Sequence, residues 1–169
     1  MATITLKGNT VDTCGELPLI GATAPNFTLV QGDLSEANLE TFAKKTKILN
    51  IFPSVDTDVC ASSVRHFNEK AAELENIVVL NISADLPFAQ NRFCGAEGIQ
   101  ASKTLSSFRS SFSTDFGVKI VNGPLQGLCS RAIIILDENN KVIYTEQVAE
   151  ITDEPNYDNA YKTLKVRFH

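Results

Sequence analysis

Ile48-Leu49-Asn50-Ile51-Phe52-Pro53-Ser54-Val55-Asp56-Thr57-Asp58-Val59-Cys60 takes the chain out of a strand, round a turn and into a helix. Residues 48–52 are short and rich in β-formers, as in a parallel strand buried on both faces, and Pro53 stops the run because proline cannot donate to a sheet ladder. Beyond the turn, Val59, Val64, Phe67, Ala71 and Leu74 recur at steps of three to five, which places one apolar stripe on a helix. Thr57 or Asp58 is the expected N-cap. Cys60 then falls in the first turn, where unpaired backbone N–H groups and the positive end of the helix dipole favour a thiolate. Asp58 works against this, since a carboxylate there suits the dipole but repels a thiolate two residues on.

Working outward, residues 77–82 (Ile-Val-Val-Leu-Asn-Ile) form a second buried strand and complete a βαβ unit. A right-handed crossover of this kind puts functional loops at the carboxyl ends of its strands, where residues 53–60 and 83–87 fall. Asp85-Leu86-Pro87 has the chemistry of a helix start and Gly95 that of a stop. Cys94 is thus expected in the last helical turn, where the dipole opposes ionisation. Residues 95–113 read as mobile loop with a helix around 105–112.

Upstream, Ile4, Leu6, Val11 and Thr13 alternate around Gly8-Asn9, a hairpin signal. Pro18, Gly21 and Pro25 mark a loop, residues 27–30 a strand and residues 35–42 a helical turn. Downstream, residues 131–136 form a buried strand, 137–140 a turn and 142–146 an antiparallel return. Pro155 opens a helix whose stripe is Tyr157, Ala160, Tyr161, Leu164 and Phe168. This order predicts an α/β fold of thioredoxin-like layout: a mixed central sheet flanked by helices, with an N-terminal β-hairpin, as one domain over residues 1–169.

Composition narrows the function. With 169 residues, 43% hydrophobic, the chain is long enough for one well-buried core and too short for two. Fifteen basic against twenty acidic residues give a net charge of −5, with no basic face, which argues against nucleic acid as a partner. No apolar run approaches the roughly 18 residues of a membrane span and the amino terminus lacks a secretory pattern, so a cytoplasmic location is expected. Four cysteines are too few for a disulfide-stapled scaffold. Cys14, Cys60, Cys94 and Cys129 contain no C-x2–4-C pair, which argues against zinc, and Ser63 stands where a C-x-x-C dithiol oxidoreductase would have its second cysteine. His66 lies six positions after Cys60, on another helix face, and His169 is the last residue, which gives little support to a Cys–His hydrolase. Cys14 and Cys129 read as structural; strand spacing puts Cys129 on the same face as Arg131.

Pro53, Thr57 and Cys60 reproduce the P-x-x-x-T-x-x-C motif of peroxiredoxins, and residues 50–57 closely resemble the bacterial thiol peroxidase subgroup. Residues 83–90 (Ser-Ala-Asp-Leu-Pro-Phe-Ala-Gln), 92–98 (Arg-Phe-Cys-Gly-Ala-Glu-Gly), Gly123-Pro124-Leu125, Gly127-Leu128 and Arg131-Ala132 resemble it too. The resemblance implies an atypical two-cysteine peroxidase acting on hydrogen peroxide and organic hydroperoxides. It makes Cys60 the peroxidatic residue, which becomes a sulfenic acid, and Cys94 the resolving residue, which closes a Cys60–Cys94 disulfide within the subunit. It assigns Thr57 and Arg131 as donors to the thiolate and peroxide oxygens and Pro53 as a shield against water. It further implies thioredoxin as reductant, a homodimer, and no metal or organic cofactor. A bridge needs Cα atoms within about 7 Å; with both cysteines at helix ends, the mobile composition after Gly95 leads to the expectation of local unwinding around each before the disulfide closes.

Overall fold

The computed structural model describes residues 1–167, with side chains through Lys165. Thr46–Ile51 (β5) is buried at every position and lies in the interior of the sheet. It pairs in parallel with Ile77–Ser83 (β6) and antiparallel with Ala132–Leu136 (β8). The sheet continues outward from β6 through Lys103–Ser106 (β7), Leu29–Val30 (β3) and Glu36–Ala37 (β4), and outward from β8 through Val142–Gln147 (β9). The direction is mixed, as expected, and the fold is thioredoxin-like.

Strand alternation divides the core into two layers. Leu49, Ile51, Leu80, Ile82, Ile134 and Leu136 face Phe27, Leu39, Phe42, Phe112 and Phe116. Ile48, Val79, Ile133 and Ile135 face the opposite way, onto Phe67 and Ala71 of the helix Asp58–Glu73 (α1) and Ala160 and Leu164 of the helix Tyr157–Arg167 (α4). The apolar stripe of α1 thus meets the strands that flank it in sequence. Phe168, the expected last member of the α4 stripe, lies outside the described residues. Asn156, not Pro155, opens α4, its Oδ1 accepting the Asn159 N–H at 3.0 Å.

Four local readings are corrected. Residues 103–106 are a strand, not loop or helix, because the edge of β6 supplies the pairing that their own composition does not. The helix of that region is the short Phe112–Asp115 (α3). Residues 35–42 divide between β4 and a 3-10 turn, Leu39–Phe42, capped by Asn38. The helix Pro87–Glu97 (α2) runs through Gly95 and ends at Gly98, whose φ of 67° suits the left-handed C-terminal position.

The fourth concerns the amino-terminal hairpin of Thr3–Leu6 (β1) and Asn9–Asp12 (β2). It turns on Lys7-Gly8, since Leu6 pairs with Asn9 and φ is positive at both turn residues. Glu150 fastens this hairpin. Its carboxylate accepts N–H groups of Thr152, Gly8 and Lys7 at 3.0, 2.8 and 3.1 Å and the Thr5 and Thr152 hydroxyls at 2.9 Å each. These donors, the Thr152 and Gly8 amides foremost, hold the carboxyl at about 2, below its usual 4.5. A depressed carboxyl stabilises the fold above its ordinary pKa, and that contribution is lost as pH falls from about 4.5 toward about 2. Glu150→Gln is expected to loosen the hairpin at neutral pH, raising amide exchange at Lys7 and Gly8 but not in β5 or β8. Unchanged exchange at the hairpin would disprove the tie.

Candidate active site

β5 ends at Ile51, Phe52 and a buried Pro53 follow, and the turn beyond delivers Thr57 to the N-cap of α1 with φ −101° and ψ 145°. The Thr57 Oγ1 accepts the Cys60 N–H at 3.3 Å and donates to the Ser54 carbonyl at 3.3 Å. Cys60 is therefore the third residue of the helix, on its first turn, as its spacing predicts. Its side chain has no exposed surface and sits among Phe52, Val55, Val64, Phe93 and Ile99. Thr57, Asp58, Ala61, Arg65, Phe93 and Glu97 line a shallow cleft of about 370 Å³ over the first turns of α1.

Arg131 reaches the sulfur from the head of β8, 71 positions away in sequence. The residue is 2% exposed; Nη2 donates to the Cys60 Sγ at 3.1 Å and Nε to the Ile151 carbonyl at 2.8 Å. Nη1 is buried and lacks a partner. The Ile151 N–H donates to the Thr5 carbonyl at 2.9 Å, so the hairpin and Glu150 together brace the carbonyl that aims the arginine. A cation on the sulfur stabilises negative charge there, and the spare donor beside it can take a second electronegative atom. Those are the needs of a thiolate attacking an oxygen electrophile.

Cys94 lies in the last turn of α2, half-buried, and shares a hydrogen bond of 3.1 Å with the Thr104 hydroxyl. Burial pushes its thiol up, partly offset by that hydrogen bond. It opens onto a cleft of about 270 Å³ on the β7 side, whereas Cys60 faces Arg131, and both are free thiols. Two ion pairs fasten α2 over the site: Arg65 to Glu97 at 3.2 Å and Arg92 to Asp56 at 3.7 Å.

The structure thus gathers Pro53, Thr57, Cys60 and Arg131 and sets Cys94 nearby on a separate helix. In this geometry the Thr57 hydroxyl proton goes to Ser54. Cys129 does not share a face with Arg131. β8 begins only at Ala132, and Cys129 bridges to Lys119 in another ladder, packing into the opposite core layer where burial pushes its thiol up to about 12. His66 stacks on Tyr157 at 3.8 Å between ring centres, consistent with the face expected for it. Sequence reasoning missed the Ile151 carbonyl: a backbone acceptor carries no chemical signal, and only the fold makes it a neighbour of Arg131. Among the described residues no group of three or more His, Cys, Asp or Glu is placed to hold a metal ion, and no helix is long and apolar enough to cross a membrane.

Comparison with known proteins agrees with this geometry. The Redoxin family model matches residues 19–161. Thiol peroxidases of Mycobacterium bovis and Mycobacterium tuberculosis are each 53% identical to this chain over 164 residues, covering 97% of it and 99% of the relative. Among solved structures, a peroxiredoxin-like protein from Aquifex aeolicus superposes with a TM-score of 0.93 at 38% identity over 98% of this chain and 97% of its own. A thiol peroxidase from Chromobacterium violaceum does so with 0.89 at 27% identity over the same shares. With Cys60 capped by Thr57 and held against a buried arginine, and with these relatives matched along nearly its whole length, the chain belongs to the redoxin family, as a thiol peroxidase.

Proposed function

We propose that this chain reduces hydrogen peroxide and organic hydroperoxides through Cys60 and closes the cycle through Cys94. The contact that carries the reading is the Arg131 Nη2 on the Cys60 Sγ, with Nη1 left spare for the peroxide. The Cys60 thiolate attacks the terminal oxygen of the hydroperoxide. The O–O bond breaks, the sulfur is oxidised to a sulfenic acid, and the departing oxygen takes a proton to leave as water or alcohol. Guanidinium donors stabilise the charge that develops on the oxygens. Pro53 and the apolar ring around Cys60 keep bulk water from the sulfur. The Thr57 hydroxyl, released from Ser54, serves as a further donor once the peroxide is bound.

In the second step Cys94 attacks the Cys60 sulfur, the S–O bond breaks, water leaves and a Cys60–Cys94 disulfide forms. Two electrons from a dithiol return both residues to thiols. Thioredoxin is the reductant we assign. Because the Cys94 thiol is engaged with Thr104, α2 must unwind to deliver it. No step needs a metal or organic cofactor. We place the protein in the cytoplasm, where the disulfide can be reduced in each cycle, as an antioxidant. Leu86 and Phe88 at the start of α2, and Phe108 after β7, are large exposed apolar residues that offer a contact for a second copy in a homodimer.

The test is a stoichiometric assay. Fully reduced protein is expected to consume one equivalent of cumene hydroperoxide and lose two thiols, and to turn over continuously once thioredoxin, its reductase and NADPH are added. Sedimentation velocity on the same sample reads the copy number. Failure to consume hydroperoxide would sink the activity. Consumption that stops after one equivalent with thioredoxin present would sink the reductant, and a monomer at micromolar concentration would sink the dimer.

A further inference from the structure

Asp85 stands between the two cysteine-bearing segments, after β6 and before α2. A carboxylate there is expected to cap the helix, yet Leu86 is the N-cap of α2 and no side chain caps it. Asp85 turns instead toward the Pro53–Cys60 turn. Its Oδ1 accepts the Ser54 hydroxyl at 2.7 Å, and its Oδ2 accepts the Val55 N–H at 2.9 Å and the Ser83 hydroxyl at 2.6 Å. Its carbonyl accepts the Ser106 hydroxyl from β7. Ser83 also accepts from the buried Gln90 of α2 at 3.2 Å.

We propose that Asp85 is the positioning residue for the peroxide step, fixing the turn that aims Cys60; this rests on the reading of Cys60 as the nucleophile. Both residues it holds bear on the sulfur. Ser54 supplies the carbonyl that accepts the Thr57 hydroxyl and N–H, and Thr57 caps the Cys60 N–H. Val55, 2% exposed, packs against Cys60 itself. Removing the carboxylate leaves the Val55 N–H without its acceptor and frees the turn to drift. The same choice of partners leaves the start of α2 uncapped. One carboxylate therefore steadies the segment that must be in register with Arg131 while reaching the helix that must unwind to release Cys94 only indirectly, through Ser83 and Gln90.

The two steps separate this role from a general loss of stability. The peroxide step is read in the Cys94→Ser background with hydrogen peroxide in single turnover; closure is read in the Cys94-containing proteins by thiol trapping, at peroxide concentrations high enough that the sulfenic acid forms faster than the disulfide in every variant. Asp85→Ala is expected to slow the peroxide step roughly 10- to 100-fold, the scale of a misplaced reacting group. Closure should be no slower than in the parent. Asp85→Asn should stay within about threefold, because a carboxamide oxygen still accepts the Val55 N–H and its NH2 can donate to Ser54. Asn68→Ala is the stability control. It removes an α1 side chain that accepts the Ala101 and Ser102 N–H groups, far from this turn, and should leave the peroxide rate unchanged. Should Asp85→Ala not fold, Ser54→Ala carries the test, with a roughly three- to tenfold loss of one donor's worth. An Asp85→Ala or Ser54→Ala rate equal to that of Asn68→Ala overturns the proposal, as does an Asp85→Asn rate as low as that of Asp85→Ala, or closure slowed in step with the peroxide reaction. A parent protein that consumes no peroxide overturns the nucleophile assignment instead, and is seen before any Asp85 variant is compared.

Discussion

Cys60→Ser is expected to consume no measurable hydroperoxide, a loss of at least about four orders of magnitude, because removing a nucleophile leaves only binding and fixed donors. Cys94→Ser is expected to complete one turnover and stop at the sulfenic acid, which dimedone traps. The contrast follows from where each thiol sits. Cys60 is on the first turn of α1 with Arg131 on its sulfur, whereas Cys94 is at the end of α2 with only a threonine hydroxyl. Equal losses in both variants would mean that Cys94 acts before or during peroxide cleavage. A Cys60→Ser protein that keeps its activity would place the nucleophile elsewhere and make the Arg131 contact structural.

The pH dependence of closure carries the same assignment further. Burial holds the Cys94 thiol above its ordinary value of 9.0, so folded α2 favours the neutral form. The stability this gives is present below the ordinary pKa and is lost as pH rises through the raised one. Rising pH therefore both eases unwinding and supplies thiolate once the segment is free. Disulfide closure should accelerate from neutral pH through the thiol range, read by quenched alkylation after a pulse of peroxide. A rate independent of pH would place the barrier before Cys94 is exposed. Matching structures of the reduced and disulfide forms around α2 would remove the unwinding step altogether.

How far the sequence reaches is clear from particular segments. β5, α1 and β6 were legible because each carries its own signal, an unbroken apolar run or a 3.6-residue stripe, and each packs on its neighbours in sequence. β7 was not, because Lys103-Thr104-Leu105-Ser106 has one large apolar residue and becomes a strand only by pairing with β6. Gly95 looked like a stop and is not. Its φ is not positive, so the helix passes through it, and the left-handed turn falls at Gly98. At the site, the N-cap and the helical position of Cys60 follow from local chemistry. Its partnership with Arg131 does not, since no spacing rule joins residues 71 apart; only the family resemblance brought the arginine into view. Asp85 shows the limit most plainly. Its place before Pro87 reads as a helix start, and the acceptors it offers are taken by another turn that only the folded sheet brings alongside.

Arg131→Met should lower the rate of the peroxide step by about two to three orders of magnitude, the usual loss when a fixed donor to a developing oxyanion is removed. Stability should move the other way. Among the described residues no carboxylate pairs with this buried guanidinium, and Nη1 lacks any partner, so the folded protein carries a desolvated cation held by the Cys60 sulfur and the Ile151 carbonyl. Methionine matches the stem of arginine and removes the cation together with its hydrogen bond to the Ile151 carbonyl. Because a thiol, unlike a carboxylate, can stay neutral when its cationic partner goes, the buried charge is removed rather than left unpaired. The expected result is a protein that melts at the same temperature or higher and reacts slowly with peroxide. Arg131→Lys keeps the charge but cannot hold the Ile151 carbonyl and the sulfur with one planar group, so it should recover only part of the rate. Thermal melts beside single-turnover kinetics on both variants decide the matter. If Arg131→Met loses stability and rate together, the arginine is chiefly a strut between β8 and the Ile151 carbonyl. If it keeps its stability and loses its rate, the fold is holding an uncompensated charge in place for the reaction.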